Sequence, residues 1–147
     1  MDKELVEKMA DSGCVEVSLG LESGSNIILK KMNKQYRTKD IRQVSALLKE
    51  CGIRRMGLLL FGGPGETRET VQESLEFVDS LALEMVKVTV GLRIYPGTEL
   101  ASHARQNKNI PSDDSLLFPK FYIENGMGEW IRKTVKAWMK DRPNWIH

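Results

Sequence analysis

The stretch from Leu58 to Thr67 constrains this chain more than any other. A run of apolar residues, Leu58-Leu59-Leu60-Phe61, ends in Gly62-Gly63-Pro64-Gly65-Glu66-Thr67 and gives way at once to an amphipathic pattern. Apolar residues broken by glycines and resumed at helical spacing read as a strand, a turn and a helix start. Gly62, Gly63 and Gly65 open backbone angles closed to other residues and let a ligand approach the chain, while Pro64 stiffens the turn. Thr67 is placed to cap the helix, whose N-terminus carries unpaired N–H groups and partial positive charge. The turn lacks the Gly-Lys-Ser/Thr of a phosphate loop. Arg68 stands where the dinucleotide fingerprint needs its third glycine. A tight strand-to-helix connection and a ligand-binding loop both fit these residues.

The segments on either side repeat the same unit. Leu5, Val6, Met9 and Ala10 predict a short helix before Gly13. In the strand that follows, Val15, Val17, Leu19 and Leu21 alternate with Glu16, Ser18, Gly20 and Glu22. After Ser23-Gly24, Ser25 is expected to cap a short helix carrying Ile28, Leu29 and Met32. A longer helix begins at Thr38 and ends at Gly52, with Ile41, Val44, Leu47, Leu48 and Cys51 as its buried stripe. The central strand, Arg54 to Phe61, is apolar almost throughout, as for a parallel strand covered on both faces. Val71, Leu75, Val78, Leu81 and Ala82 mark the helix after the glycine turn, and alternation from Val86 to Tyr95 predicts a third strand before Pro96-Gly97-Thr98.

Three βα units in succession require parallel strands and an α/β fold. Polar rows on the first and third strands do not suit an open sheet with helices on both sides, but they suit a barrel whose lumen holds a ligand. Each strand leads at its carboxyl end into a loop with chemistry, which is where such folds bind ligands. Residues 107–147 differ in character. A polar loop and an apolar segment, Leu116 to Ile123, precede a last helix from about Gly128 to Asp141, with Trp130, Ile131, Val135 and Trp138 on one side and a basic outer face.

The 41% hydrophobic and 29% charged content is that of a soluble globular domain, and a net charge of +2 makes no case for nucleic acid. No apolar run reaches the ~18 residues of a membrane span, so a cytoplasmic protein is expected. Cys14 and Cys51 have no Cys-x-x-Cys spacing and read as buried thiols, and His103 and His147 have no partner at metal spacing.

Taken together, Gly20-Leu21-Glu22-Ser23-Gly24-Ser25, Lys31-Met32-Asn33-Lys34, Phe61 to Thr67 and Tyr95-Pro96-Gly97-Thr98-Glu99-Leu100 closely resemble the radical S-adenosylmethionine (radical SAM) enzymes in order and spacing. The resemblance covers residues 1–106, as the later half of the family's partial TIM-type barrel, with 107–147 as a C-terminal helical extension. It is greatest to the group with an N-terminal cobalamin-binding domain, which includes the anaerobic oxidative cyclase of chlorophyll synthesis. Phe121-Tyr122 and Pro143-Asn144-Trp145 resemble the tail of that group.

This resemblance implies an oxidoreductase or transferase that cleaves S-adenosylmethionine (SAM) reductively at a 4Fe-4S cluster to start hydrogen abstraction on a small-molecule substrate. Cobalamin enters through the group resemblance alone. It further implies that Glu22 and Ser23 contact the ribose or methionyl part of SAM. Lys34 stands where relatives often have an arginine for its carboxylate, keeping the charge but not the bidentate fork. Leu60, Gly62, Gly63, Pro64 and Gly65 match the region against adenine, and Arg93 and Tyr95 face cofactor or substrate. The family's three-cysteine loop is not in this sequence, so the cluster ligands are expected outside it and the isolated chain is expected to be an inactive fragment. The unpaired edge of its first strand would favour a homo-oligomer. Two other readings remain beside this one: a non-redox α/β module that binds a nucleotide or anion at Gly62–Thr67, and a protein-interaction domain that uses the basic C-terminal helix.

Overall fold

The computed structural model describes residues 1–147. In chain order its elements are α1 (Lys3–Asp11), β1 (Glu16–Glu22), α2 (Asn26–Lys31), α3 (Thr38–Glu50), β2 (Arg54–Phe61), α4 (Arg68–Ser80), β3 (Met85–Val90), β4 (Leu92–Ile94), α5 (Glu99–Gln106), β5 (Lys120–Tyr122), α6 (Gly128–Met139) and β6 (Trp145–Ile146). Strands β1, β2, β3 and β6 form one parallel sheet in that spatial order, while β4 and β5 form an antiparallel pair. The fold is α/β, with the three expected βα units.

Alternation in the strands decides which face is covered. Leu21 of β1, Leu59 and Phe61 of β2, Val86 and Val88 of β3, and Trp145 of β6 are buried with Ile41 of α3, Val71, Leu75 and Val78 of α4, and Ile131 and Val135 of α6 in one core. Each fully buried side chain of this size contributes about 1.5–3 kcal/mol. Val6, Leu48 and Ile53 extend the same side beneath α1 and α3. The opposite face carries Glu16 beside Arg54, Ser18 beside Met56 and Gly20 beside Leu58, while Met56, Leu58 and Leu60 lie beside Met85, Lys87 and Thr89. Met56, Leu58 and Leu60 are only half-buried. The expectation that β2 is covered on both faces is therefore corrected: helices lie on one side only, and the face carrying Met56, Leu58 and Leu60 is partly open.

Four further expectations change. The third strand does not run unbroken from Val86 to Tyr95. Gly91 adopts φ +99° and donates its N–H to Phe61 O at 2.7 Å, so the chain turns out of the sheet there. A Cβ on Gly91 would lie 3.3 Å from both Phe121 and Ile123, which close over it. Beyond that turn, β4 pairs with β5 and builds a second small core from Ile94, Ala101, Ala104, Ile110, Leu116 and Tyr122. The tail, in turn, is more than a helix, since Trp145–Ile146 adds a fourth strand beside β3. Ser25 sits at the α2 N-cap without a side-chain hydrogen bond, and its hydroxyl is buried and unpartnered. Cys14 and Cys51 are free and half-buried rather than buried, because both sit in turns at the rim of the core under α1 and α3. No helix is long and apolar enough to cross a membrane.

Candidate functional site

The carboxyl ends of β1, β2 and β3 converge on one rim. At the end of β1 the register with β2 slips, so that Gly20 pairs with Leu58 but Glu22 with Leu59. Leu21 is the extra residue and drops into the core, and Glu22 takes φ +60°. A left-handed backbone at a non-glycine residue is uncommon and is found where surrounding structure enforces it. Lys34 follows α2 by a short turn through Asn33, itself at φ +54°, and its Nζ donates to Glu22 Oε1 at 2.9 Å. The two side chains are 30% and 20% exposed, so the pair is half sheltered yet open to a ligand. Tyr36 closes its other flank, donating its hydroxyl to Gly20 O at 2.7 Å. Burial, and next the charge of Glu22, push the Tyr36 phenol up to about 12. It stays a neutral donor at physiological pH.

The glycine turn at the end of β2 is internally satisfied. Thr67 caps α4 as expected, its hydroxyl accepting from Thr70 N at 3.3 Å. Gly62 and Gly65 both have positive φ, at +94° and +72°. Glu66 folds back so that its Oε2 accepts from Gly62 N and from Gly63 N, at 2.5 and 3.2 Å. Glu124, from the segment after β5, accepts from Gly65 N. Lys31 donates to Gly65 O at 3.4 Å. The Gly62, Gly63 and Gly65 N–H groups are already bonded to carboxylates, and this opposes the anion-binding reading of the loop. Beside the turn, Leu60 and Pro64 are half-buried.

Sequence reasoning missed Glu124 and Tyr36 as parts of this rim, and placed Glu66 in the loop without giving it a role. Glu66 lies within the matched motif, and its position after Gly65 was the available signal. Glu124 lies 59 residues from Gly65 and carries no local signal. Burial raises the Glu66 carboxyl to about 7, opposed by the Gly62 and Gly63 N–H groups and reinforced by Glu124. In the window between the ordinary value of 4.5 and about 7, the folded chain binds the Glu66 proton more tightly than the unfolded chain does. Stability therefore falls as pH rises through that window and levels off above it. Urea midpoints measured across it should decline for the wild type, and Glu66→Gln should flatten that slope. An unchanged slope would remove Glu66 as its source.

The other expected site residues divide. Ser23 is fully buried and turned toward α4, where its hydroxyl meets Ser74 Oγ at 2.9 Å and accepts from Ser25 N at 3.0 Å. It supports the turn, and its side chain does not reach the rim. Arg93 and Tyr95 lie on the exposed face of the β4 segment, the guanidinium 4.8 Å from the ring centre, with no hydrogen bond or ion pair to Glu22, Lys34 or the glycine turn. Lys34 and Pro64 share a cleft of about 420 Å³ with Lys31, Leu92 and His103. Cys14 and Cys51 precede β1 and β2, at the end of the sheet away from this rim, and no three His, Cys, Asp or Glu side chains gather anywhere. The chain's own residues thus do not fit an iron–sulfur cluster.

Residues 1–78 match the family model described as Radical SAM superfamily. An uncharacterized methyltransferase of Pyrococcus horikoshii is 29% identical over 90% of this chain and 30% of its own length. The tRNA-2-methylthio-N(6)-dimethylallyladenosine synthase of Finegoldia magna is 30% identical over 83% of this chain and 28% of its own. Among solved structures, the radical SAM methyltransferase TsrM of Kitasatospora setae, with cobalamin and a 4Fe-4S cluster bound, superposes on 73% of this chain and 20% of its own at a TM-score of 0.66 and 28% identity. TsrM with tryptophan and a SAM analogue superposes on 99% of this chain and 35% of its own, at a TM-score of 0.76 and 22% identity. The chain spans about a third or less of the length of these relatives.

Proposed function

The chain belongs to the radical SAM superfamily, and from that premise we propose that it supplies the SAM-facing later half of the catalytic barrel of a methyl-transferring enzyme. The observation that carries the reading is the half-sheltered Glu22–Lys34 pair beside Tyr36, set next to the glycine turn at the carboxyl rim of the parallel strands. A 4Fe-4S cluster, held by residues outside this chain, would supply the electron for reductive cleavage of SAM. In this chain Lys34 meets the SAM carboxylate and Glu22 accepts from the ribose hydroxyls. The edge of the turn from Gly62 to Gly65, with Leu60, takes the flat adenine. Parting Lys34 from Glu22 costs at most about 1 kcal/mol, as for an ion pair in contact with water.

The names of the relatives support a transferase over an oxidoreductase, and TsrM supports cobalamin as the methyl carrier. The cluster-bearing strands pair along the free edge of β1, which would also leave this chain alone inactive and prone to self-association. Equilibrium dialysis tests the SAM assignment against a general nucleotide site. SAM and S-adenosylhomocysteine should bind saturably and ATP should not displace them, because Glu66 and Glu124 occupy the turn's N–H groups and repel phosphate. Displacement by ATP at comparable concentration would contradict the reading.

A further inference from the structure

The glycine turn is held by a segment from the far end of the sequence. Ile123 and Glu124 follow β5 directly. Glu124 donates its own N–H to Gly62 O at 2.9 Å and accepts from Gly65 N through Oε2. Its carboxylate is itself oriented, since Tyr122 donates its hydroxyl to Oε2 at 3.3 Å and Asn125 N donates to Oε1 at 3.2 Å. Tyr122 is fully buried and also lies 3.2 Å from His103 Nε2, which ties it to α5. Ile123 seats against three glycines. A Cβ would lie 3.2 Å from it at Gly62, 3.3 Å at Gly91 and 3.5 Å at Gly128. These contacts fix both ends of the turn, where positive φ would otherwise leave the backbone free to rearrange.

We infer that Glu124 is a positioning residue for SAM, holding the Gly62–Gly65 turn in the shape that receives the nucleoside, so that the C-terminal segment sets cofactor affinity without touching the cofactor. This rests on the SAM reading of the rim. The contact is specific in kind. It bonds the Gly65 N–H to a carboxylate whose own second oxygen is engaged, and with the Glu124 backbone held on Gly62 O, a side chain shorter by one methylene reaches Gly65 N less well. An effect on the nucleoside end alone also separates positioning from general support of the fold.

Nitrogen-15 NMR titrations of the chain with SAM and, separately, with 5'-deoxyadenosine test the inference, with amide hydrogen exchange at Gly65 read in parallel. In Glu124→Ala, exchange at Gly65 should accelerate and affinity for both probes should fall about tenfold, as for loss of one hydrogen bond to a charged group. Glu124→Gln keeps an acceptor and should restore most of it, and Glu124→Asp should fall between. Faster exchange with unchanged affinity for 5'-deoxyadenosine would overturn the inference while leaving the SAM site standing. If Glu124→Ala does not fold, an unchanged affinity in Glu124→Asp would overturn it equally. Failure of the wild type to bind either probe at the rim would remove the SAM reading and this inference together.

Discussion

Arg55→Ala is expected to lower stability toward urea by about 3–5 kcal/mol, the scale for leaving several buried acceptors without a donor above a cavity. Arg55 is 2% exposed at the amino end of the core face of β2. Its guanidinium donates to Glu84 Oε1 at 2.7 Å and Oε2 at 3.0 Å, to Ser45 Oγ at 3.0 Å, and to the carbonyls of Leu81 at 3.3 Å and Ala82 at 2.7 Å. One side chain thereby ties β2 to α3 and to the connection into β3, where Ala82 itself holds a positive φ. Alanine would leave those carbonyls without a donor and a cavity beneath them. Arg55→Met should be milder, because it fills the space and Glu84, 40% exposed, can turn to water. Hydrogen bonding from Arg55 holds the Glu84 carboxyl down at about 2. The folded value is depressed, so this contribution is whole above the ordinary 4.5 and is lost as pH falls toward about 2. Equal urea midpoints for Arg55→Ala and wild type would contradict the clamp.

Glu22→Gln should leave the melting temperature nearly unchanged and weaken SAM binding by roughly ten- to a hundredfold, the range for hydrogen bonds made by a charged group. The two effects separate because the residue does different things in the two states. Its contribution to the fold is one half-exposed pair with Lys34, worth at most about 1 kcal/mol, and glutamine preserves the shape needed at φ +60°. Toward SAM it is an acceptor whose charge strengthens every hydroxyl bonded to it. Loss of stability without loss of affinity would reverse the assignment and make Glu22 a structural residue of the β1 bulge.

The α/β order was legible because the apolar spacing changes from two to three or four at each glycine, and that pattern survives in the fold as β1–α3–β2–α4–β3. The glycine turn was legible for the same reason. What escaped was whatever depends on a distant partner. Gly91 looks like a small residue inside an alternating strand, and only Phe121 and Ile123, packed over it, make it a corner. Ser23 follows Glu22 in the chain and was expected at its side, but the extra residue at Leu21 turns the serine toward Ser74. Arg55 follows Arg54 at the head of an apolar run, and Glu84, which balances its charge, lies 29 residues further on. Glu124 is the extreme case, since nothing near it in sequence points to the turn it holds. Tertiary contacts of this kind carry no period, so spacing cannot reveal them.

The most direct measurement of the central claim is a residue-resolved map of SAM binding to this chain by nitrogen-15 NMR, in wild type and Glu22→Gln. Saturable shifts are expected at Glu22, Lys34, Leu60, Gly62, Gly63 and Gly65, weakened together in the variant while the rest of the spectrum stays in place. Shifts that leave this rim untouched, or that gather at the opposite end of the sheet near Cys14 and Cys51, would contradict it.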